Sequence, residues 1–531
     1  MSGLLDKRPD GASRRQTRVD KEHKEKTKVR VITVSVVVVL ALLFAGAMFI
    51  NSKFIRRTLT AVSFGDVNFT SAEYDYFYIT ASNDVQNSYI SYFGEEEAQQ
   101  YLPSGDASLS SQINPQTGDT WDNYFAEMTL TNMSNLAATY SAAVSDGFQL
   151  TGEAREEIDN QIEALRTQAE MYKSVFPTFN SFLQQNFGNS INEAALRKIM
   201  ERSFIASEYS KHINDSFTYN ANELASHYSD NADTLDKFDF RYFTVYTETE
   251  TEDGEEPEYE SEEESKAANE AALVAARAKA ADIVSGISSV DDFLNAAKEY
   301  NEIYSDPEYT LFQMPGSNLD SMEFADWMRD SSRAYGDVTS VDMDTGAFVL
   351  FYIGRDKNDY RTVSMRQIVV VPESVNIDPS TFELGEEDPA YTEAYDEAVK
   401  NAEVAAKERA DTVLALFTQG GATEEKLLEL MDEYSSDKNT EGGLYEDIYK
   451  GYMPIAVEEW LFAPERQVGD YSMIETAGVG HQLVFFKGYG DRYCDIVSEN
   501  ELRGQDYEEW SSALNPVDAV KHWAFSLTQK H

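Results

Sequence analysis

From about residue 238 onward the chain runs through one order of elements twice: strand, acid-rich loop, alanine-rich helix, second helix, closing strand. Asp239-Phe240-Arg241-Tyr242-Phe243-Thr244-Val245 opens the first copy and Ser364-Met365-Arg366-Gln367-Ile368-Val369-Val370-Val371 opens the second. Ala281-Asp282-Ile283-Val284 is answered by Ala410-Asp411-Thr412-Val413, Glu299-Tyr300 by Glu433-Tyr434, and Trp327 with Gly336-Asp337 by Trp460 with Gly469-Asp470. Gly346-Ala347-Phe348-Val349-Leu350-Phe351 closes one copy, Gly480-His481-Gln482-Leu483-Val484-Phe485 the other. From Phe293 against Leu427 to these closing strands the offset stays at 133 or 134 residues. An internal duplication of an α/β domain explains the constancy, and each copy must cover its strands with its own helices. The copies are expected at 236–357 and 362–492.

The 531 residues allow three or four domains, and 42% hydrophobic residues suffice to fill their cores. With 94 Asp+Glu against 44 Lys+Arg the formal net charge is −50. A field of that sign repels phosphate, which excludes a nucleic-acid partner. Cys494, the single cysteine, excludes an intrachain disulfide framework and Cys-rich metal centres. Six histidines without a His-Glu-x-x-His pattern, and no Gly-rich loop ending in Lys-Ser/Thr, remove metalloprotease and nucleotide readings. Neither a metal nor a cofactor is expected. The acid run 247–265, eleven acids and no base, lacks the ligand spacing of a calcium loop and reads as solvated chain.

Val31 to Ile50 is twenty residues without a charge, behind ten Lys/Arg in residues 1–30. About 20 residues at about 1.5 Å each span the roughly 30 Å hydrocarbon layer. The expectation is therefore a single-pass transmembrane helix at 31–50 in the cell membrane, with a basic cytoplasmic tail at 1–30 and the rest outside the cytoplasm. The run is longer than a signal-peptide core and continues past Ala45-Gly46-Ala47, which argues against cleavage there. Residues 51–531 carry 34 basic and 89 acidic residues. Val62, Phe64, Val67 and Phe69 around Gly65-Asp66 predict a hairpin, and Thr70 with Glu73 predicts a capped helix rich in Tyr and Phe. That helix could fill a core or offer an apolar face to other polypeptides. Further helices are expected around 120–146, 152–175 and 191–214, the last behind a second capping pattern, Ser190 and Glu193. They make 55–235 a helical region. Trp510, Leu514, Val517, Val520 and Trp523 predict a closing helix within 496–531.

The second copy resembles the parvulin family of peptidyl-prolyl isomerases. The resemblance rests on Arg366-Gln367-Ile368-Val369, Tyr434-Ser435-Ser436-Asp437, Glu441-Gly442-Gly443-Leu444, Gly451-Tyr452-Met453-Pro454 and Gly480-His481-Gln482-Leu483, in the family's order across about 364–490. The whole layout is similar to secretory foldases of the SurA and PrsA type, although no lipidation cysteine stands near the apolar run. This implies an α+β chain: a transmembrane helix, a helical chaperone-like region, two tandem parvulin-like domains with the first degenerate, and a C-terminal helix. It also implies a membrane-anchored foldase turning X-Pro bonds of unfolded or secreted polypeptides. The alternatives are a chaperone or scaffold of the same fold without catalysis, and an inert envelope spacer.

Rotation about an X-Pro bond meets a barrier of about 18–20 kcal/mol set by amide resonance, and needs neither nucleophile nor metal. A site helps by seating the ring in an apolar pocket and giving hydrogen bonds that suit the twisted amide. The resemblance places Leu444, Met453 and Val457 in the proline pocket, and Gln367, Asp437, His481 and Thr476 in the polar cluster beneath. Two departures lower the expected activity. Gln367 stands where the family has histidine and cannot be charged, and Val457 is smaller than the usual Phe. In the first copy the matching positions are Tyr242 in the opening strand and, at the offset of 134, Ile303 and Ala347, so no catalysis is expected there. Acidic loops after both opening strands disfavour a phosphoserine-proline substrate.

Overall fold

The computed structural model describes residues 30, 33–44, 48–49, 52–247, 261–382, 384–438, 440–514 and 516–528. Most of the basic tail and most of the acid run 247–265 lie outside them. The fold is mixed α/β. Residues 33–44 and 48–49 are helical, yet among the described residues no helix is long and apolar enough to cross a membrane. This corrects the transmembrane helix expected at 31–50 and the cell-membrane placement that depended on it. The described continuous helical stretch, 33–44, rises about 18 Å against about 30 Å of hydrocarbon. Residues 31, 32, 45–47 and 50 of the expected span lie outside the described residues.

The chain divides into two compact units, 1–218 with 505–531, and 219–504. In the first, β1 (Thr60–Phe64) and β2 (Val67–Thr70) pair antiparallel across the Gly65-Asp66 turn, where Gly65 takes φ +56°. Thr70 and Glu73 form a reciprocal capping box at the start of the helix Ser71–Phe93. Helices Trp121–Ser145, Gly152–Met171, Phe179–Phe187 and Glu193–Ser216 complete the helical part. One core gathers Phe69, Tyr74, Tyr78, Trp121 and Phe125, and a second gathers Ile158, Ile162, Leu183, Leu196 and Ile199.

Two local expectations are corrected here. The cap of Glu193–Ser216 is Asn192, whose side chain accepts from the Ala195 amide, while Ser190 lies buried without a hydroxyl partner. The carboxyl-terminal helix is Tyr493–Ala513 and does not run to the end. The described helix stops at Ala513, and Pro516, which has no amide hydrogen, cannot serve as a donor in a continued helix. The chain then adds Val520–Lys521 as a third strand on β1 and finishes in a turn of 3-10 helix, Trp523–Leu527. Val517 and Trp523, expected on a docking face, are exposed.

The second unit holds two four-stranded antiparallel sheets. The helix Ala221–Asp230 leads into β3 (Lys237–Tyr246), followed by β4 (Leu311–Pro315), β5 (Val338–Met343) and β6 (Gly346–Asp356) in the order β4-β3-β6-β5. Next come β7 (Arg361–Val370), β8 (Leu444–Ile448), β9 (Tyr471–Thr476) and β10 (Gly480–Arg492) in the order β8-β7-β10-β9. Opening and closing strands are thus central in both. Helices Glu262–Ser285 and Val290–Tyr300 cover one face of the first sheet through Ala276, Ala280, Phe293 and Ala297. Helices Pro389–Gln419 and Glu424–Tyr434 cover the second through Ala410, Val413, Phe417 and Leu427. Alanine at the contact lets a helix approach the strands closely, which is why both long helices are alanine-rich. Each opposite sheet face carries its own apolar cluster.

Candidate functional site

Strand alternation decides which side chains of the second sheet can meet. On β7, Val363 and Met365 point to the face away from the long helices; on β10, Val484 and Phe486 do the same. Gln367, two residues after Met365, and Gln482, two before Val484, continue those rows. Their side chains join: Gln482 Nε2 donates to Gln367 Oε1 at 2.7 Å, and Thr476 Oγ1 donates to Gln482 Oε1 at 2.7 Å. The trio is buried, with Gln367 at 5%, Gln482 at 3% and Thr476 at 8% exposure. The Tyr445 side chain packs on this same sheet face. Its hydroxyl donates to Asp437 Oδ2 at 2.8 Å and accepts from Thr440 Oγ1 at 3.0 Å. Two hydrogen-bonded groups therefore share this sheet face, Thr476–Gln482–Gln367 and Thr440–Tyr445–Asp437. Burial pushes the Tyr445 hydroxyl pKa up and Asp437 adds to this, while Thr440 and the Gln367 amide lower it. The phenol thus remains a donor at neutral pH.

The apolar side of the site is the cluster of Val363, Met365, Ile448, Val457, Leu461, Ile474, Val484 and Phe486, with Tyr445, Met453 and Trp460 packed against it half-buried. Val457 is fully buried. Gly443 explains how the chain turns into β8 beside Gln367. It takes φ +57°, and a Cβ there would lie 2.4 Å from the Gln367 carbonyl oxygen.

Of the seven residues expected in the site, the fold gathers Gln367 and Thr476 in one hydrogen-bonded trio, Asp437 on the Tyr445 hydroxyl of the same sheet face, and Met453 and Val457 in one apolar cluster. It does not bring His481 or Leu444 to them. His481 pairs with Val370 and Glu475 and lies on the opposite sheet face, with Leu483 and Phe485 under the long helices. Leu444 pairs with Arg366, whose guanidinium reaches Glu424 on that helical side. Both expectations are therefore shifted by one position: Gln482 takes the place given to His481, and Tyr445 that given to Leu444. Gln482, Tyr445 and Thr440 were not singled out from sequence. The signal available was parity, since on a strand only residues an even number apart share a face.

The first sheet has the same register with different chemistry. The counterparts of Gln367, Gln482 and Thr476 by strand pairing are Tyr242, Phe348 and Met343. Tyr242 stacks on Phe312 at 4.3 Å and meets Phe348 edge-on at 5.5 Å, with Phe324 beside it at 5.8 Å. Of the equivalents expected there, Ile303 is 56% exposed and Ala347 faces the helices. Rings fill the space that amides occupy in the second copy.

A separate cavity of about 730 Å³ in this unit is lined by Tyr228, Tyr352, Arg333, Arg355, Arg492 and Cys494 among others. Its arginines are each held by acids: Arg355 by Asp233 and Asp236, Arg492 by Asp359 and Asp495, Arg333 by Asp330 and Asp337. Among the described residues no group of three His, Cys, Asp or Glu is placed to hold a metal ion.

No family model and no curated relative matches the chain. Solved structures similar to it include PrsA from Bacillus anthracis, described as a peptidylprolyl isomerase. It is 13% identical, with 52% of this chain and 88% of that chain covered and a TM-score of 0.20. PrsA from Bacillus subtilis is 12% identical, with 57% and 93% covered and a TM-score of 0.16. At such identity and superposition the chemistry of the site rests on its own side chains.

Proposed function

We propose that the chain is a folding factor whose second α/β copy is a peptidyl-prolyl cis-trans isomerase site of parvulin type. Its substrates are X-Pro bonds of unfolded polypeptides, secreted ones in particular, as the motif order from Arg366 to Leu483 suggests. The observation that carries the reading is a pair of hydrogen-bonded groups, Thr476–Gln482–Gln367 and Thr440–Tyr445–Asp437, on the sheet face whose apolar cluster is edged by Tyr445 and Met453. A proline ring seated against Met453 would bring its amide toward the Tyr445 hydroxyl, a donor whose phenol stays protonated. Thr476, Gln482 and Gln367 offer only amides and a hydroxyl, so the trio can reorient its hydrogen bonds with the rotating amide but cannot take up charge. The expected catalysis is therefore modest.

The test is a proline-peptide exchange assay on residues 1–531. A rate above buffer that falls in Gln482→Ala supports the reading; a rate equal to buffer removes it. The second reading is a polypeptide-binding chaperone or scaffold without catalysis, favoured by the closure of the trio at 3–8% exposure. It predicts slowed aggregation of an unfolded client by the full chain, with the same effect in Gln482→Ala.

A further inference from the structure

The helix Ser71–Phe93 treats its aromatic residues in two ways. Near its start Tyr74 and Tyr78 sit in the core at 4% and 3% exposure. At its end the rings come out: Tyr92 is 82% exposed, Ile90 40%, and Tyr101, just past the Gly94 break, 41%. These rings are organised. Phe93 and Tyr101 stack with centroids 4.8 Å apart and planes 24° apart; Tyr89 stands 5.9 Å from Phe93, and Tyr92 meets Phe93 edge-on at 4.7 Å. The charge along this stretch of chain has one sign. Between Arg57 and Arg155 the sequence holds no Lys, Arg or His and 13 Asp or Glu. Glu95, Glu96 and Glu97, all exposed, follow the platform directly.

We infer that this aromatic tip is a docking surface for unfolded polypeptide segments in which Lys or Arg alternate with aromatic or aliphatic residues. The ring faces offer cation–π contact and apolar area, and the carboxylates draw the same cations. Because the rings already pack on one another, little side-chain freedom is left to lose on binding. The charge that favours a basic segment works against the other occupants. A second copy would bring an identical acidic tip, and anionic lipid would be repelled. The tip belongs to the first unit, so the surface stands or falls independently of the proline site.

The experiment titrates the full chain, its Tyr92→Ser variant and its Glu95→Gln/Glu96→Gln/Glu97→Gln variant against a labelled peptide built of Lys, Phe and Ser. Controls are a peptide with Glu for Lys and one with Ser for Phe. The side chains changed lie in water, so the variants keep the fold, checked by far-ultraviolet circular dichroism. The expected result is binding of the Lys-Phe peptide only. Tyr92→Ser weakens it about tenfold, and the glutamine variant weakens it about fivefold and flattens its salt dependence. Equal affinity of wild type and both variants overturns the assignment, as does equal binding of the Glu-Phe peptide. A dimer in light scattering that Tyr92→Ser dissolves overturns it too, because a second copy is then the occupant.

Discussion

Gln482 is the middle of the buried polar chain, and its replacement tests the site at a single position. Gln482→Leu leaves the Thr476 hydroxyl and the Gln367 amide oxygen without their partner, at a cost of about 1–3 kcal/mol for an orphaned buried group. The expected outcome is a lower urea midpoint together with loss of proline-peptide exchange. His481→Ala, on the other sheet face, is expected to keep the exchange rate, and an equal loss in both variants would return the histidine to the site. Gly443→Ala should cost about 2 kcal/mol, because φ +57° is strained for alanine and the new methyl meets the Gln367 carbonyl oxygen. Equilibrium unfolding measures it. These residues also mark where the sequence stops being readable. Gly480 to Phe485 holds apolar residues on both faces, so nothing in the string says whether 481 or 482 lies beside Gln367. Only pairing with β7 fixes the parity. Asp437 and Thr476 were legible by motif order, whereas Tyr445 hid behind a Leu444 that matched the motif more plainly.

At the scale of elements, one ion group ties a helix to its sheet. Glu424 opens the helix Glu424–Tyr434 and takes both Arg366 of β7 and Lys487 of β10. Hydrogen bonds from Lys487 and then Arg366 hold its carboxyl pKa below the usual glutamate value, against burial. With the folded value depressed, the added stability is fully present above the unfolded carboxylate range and is lost as pH falls through the folded value. The difference in urea midpoint between wild type and Glu424→Gln should therefore be largest near neutral pH and shrink on acidification. A difference that grows with acid would reverse the assigned sign. The elements read best from sequence were those fixed locally, such as the Thr70 and Glu73 box and the alanine-rich helices at constant offset. Those that failed had a competitor nearby. Asn192 caps in place of Ser190, and the helix that apolar spacing alone would carry further stops at Ala513, shortly before Pro516. At 31–50 the absence of charge was legible, whereas among the described residues no helix is long and apolar enough to cross a membrane.

Across the whole molecule, the last residues belong to the first unit. Val520 and Lys521 pair with Ser63 and Val62, the Ser71 hydroxyl donates to the Ala524 carbonyl, and Phe525 packs edge-on to Tyr74 at 4.9 Å. A chain ending at residue 514 should lose roughly 3 kcal/mol from that unit, since Ala524, Leu527 and Phe525 leave its core. Its melting transition should drop while that of residues 219–504 stays in place, and proline-peptide exchange should be retained. A uniform drop in both transitions would show the tail serving the molecule at large. The interleaving has a consequence for synthesis. Domains usually fold in the order in which they leave the ribosome. Here the first unit needs residues 520–527, which are made only after the whole of 219–504, so it is completed later than the unit that follows it, and a stalled nascent chain would present β1 with a bare edge.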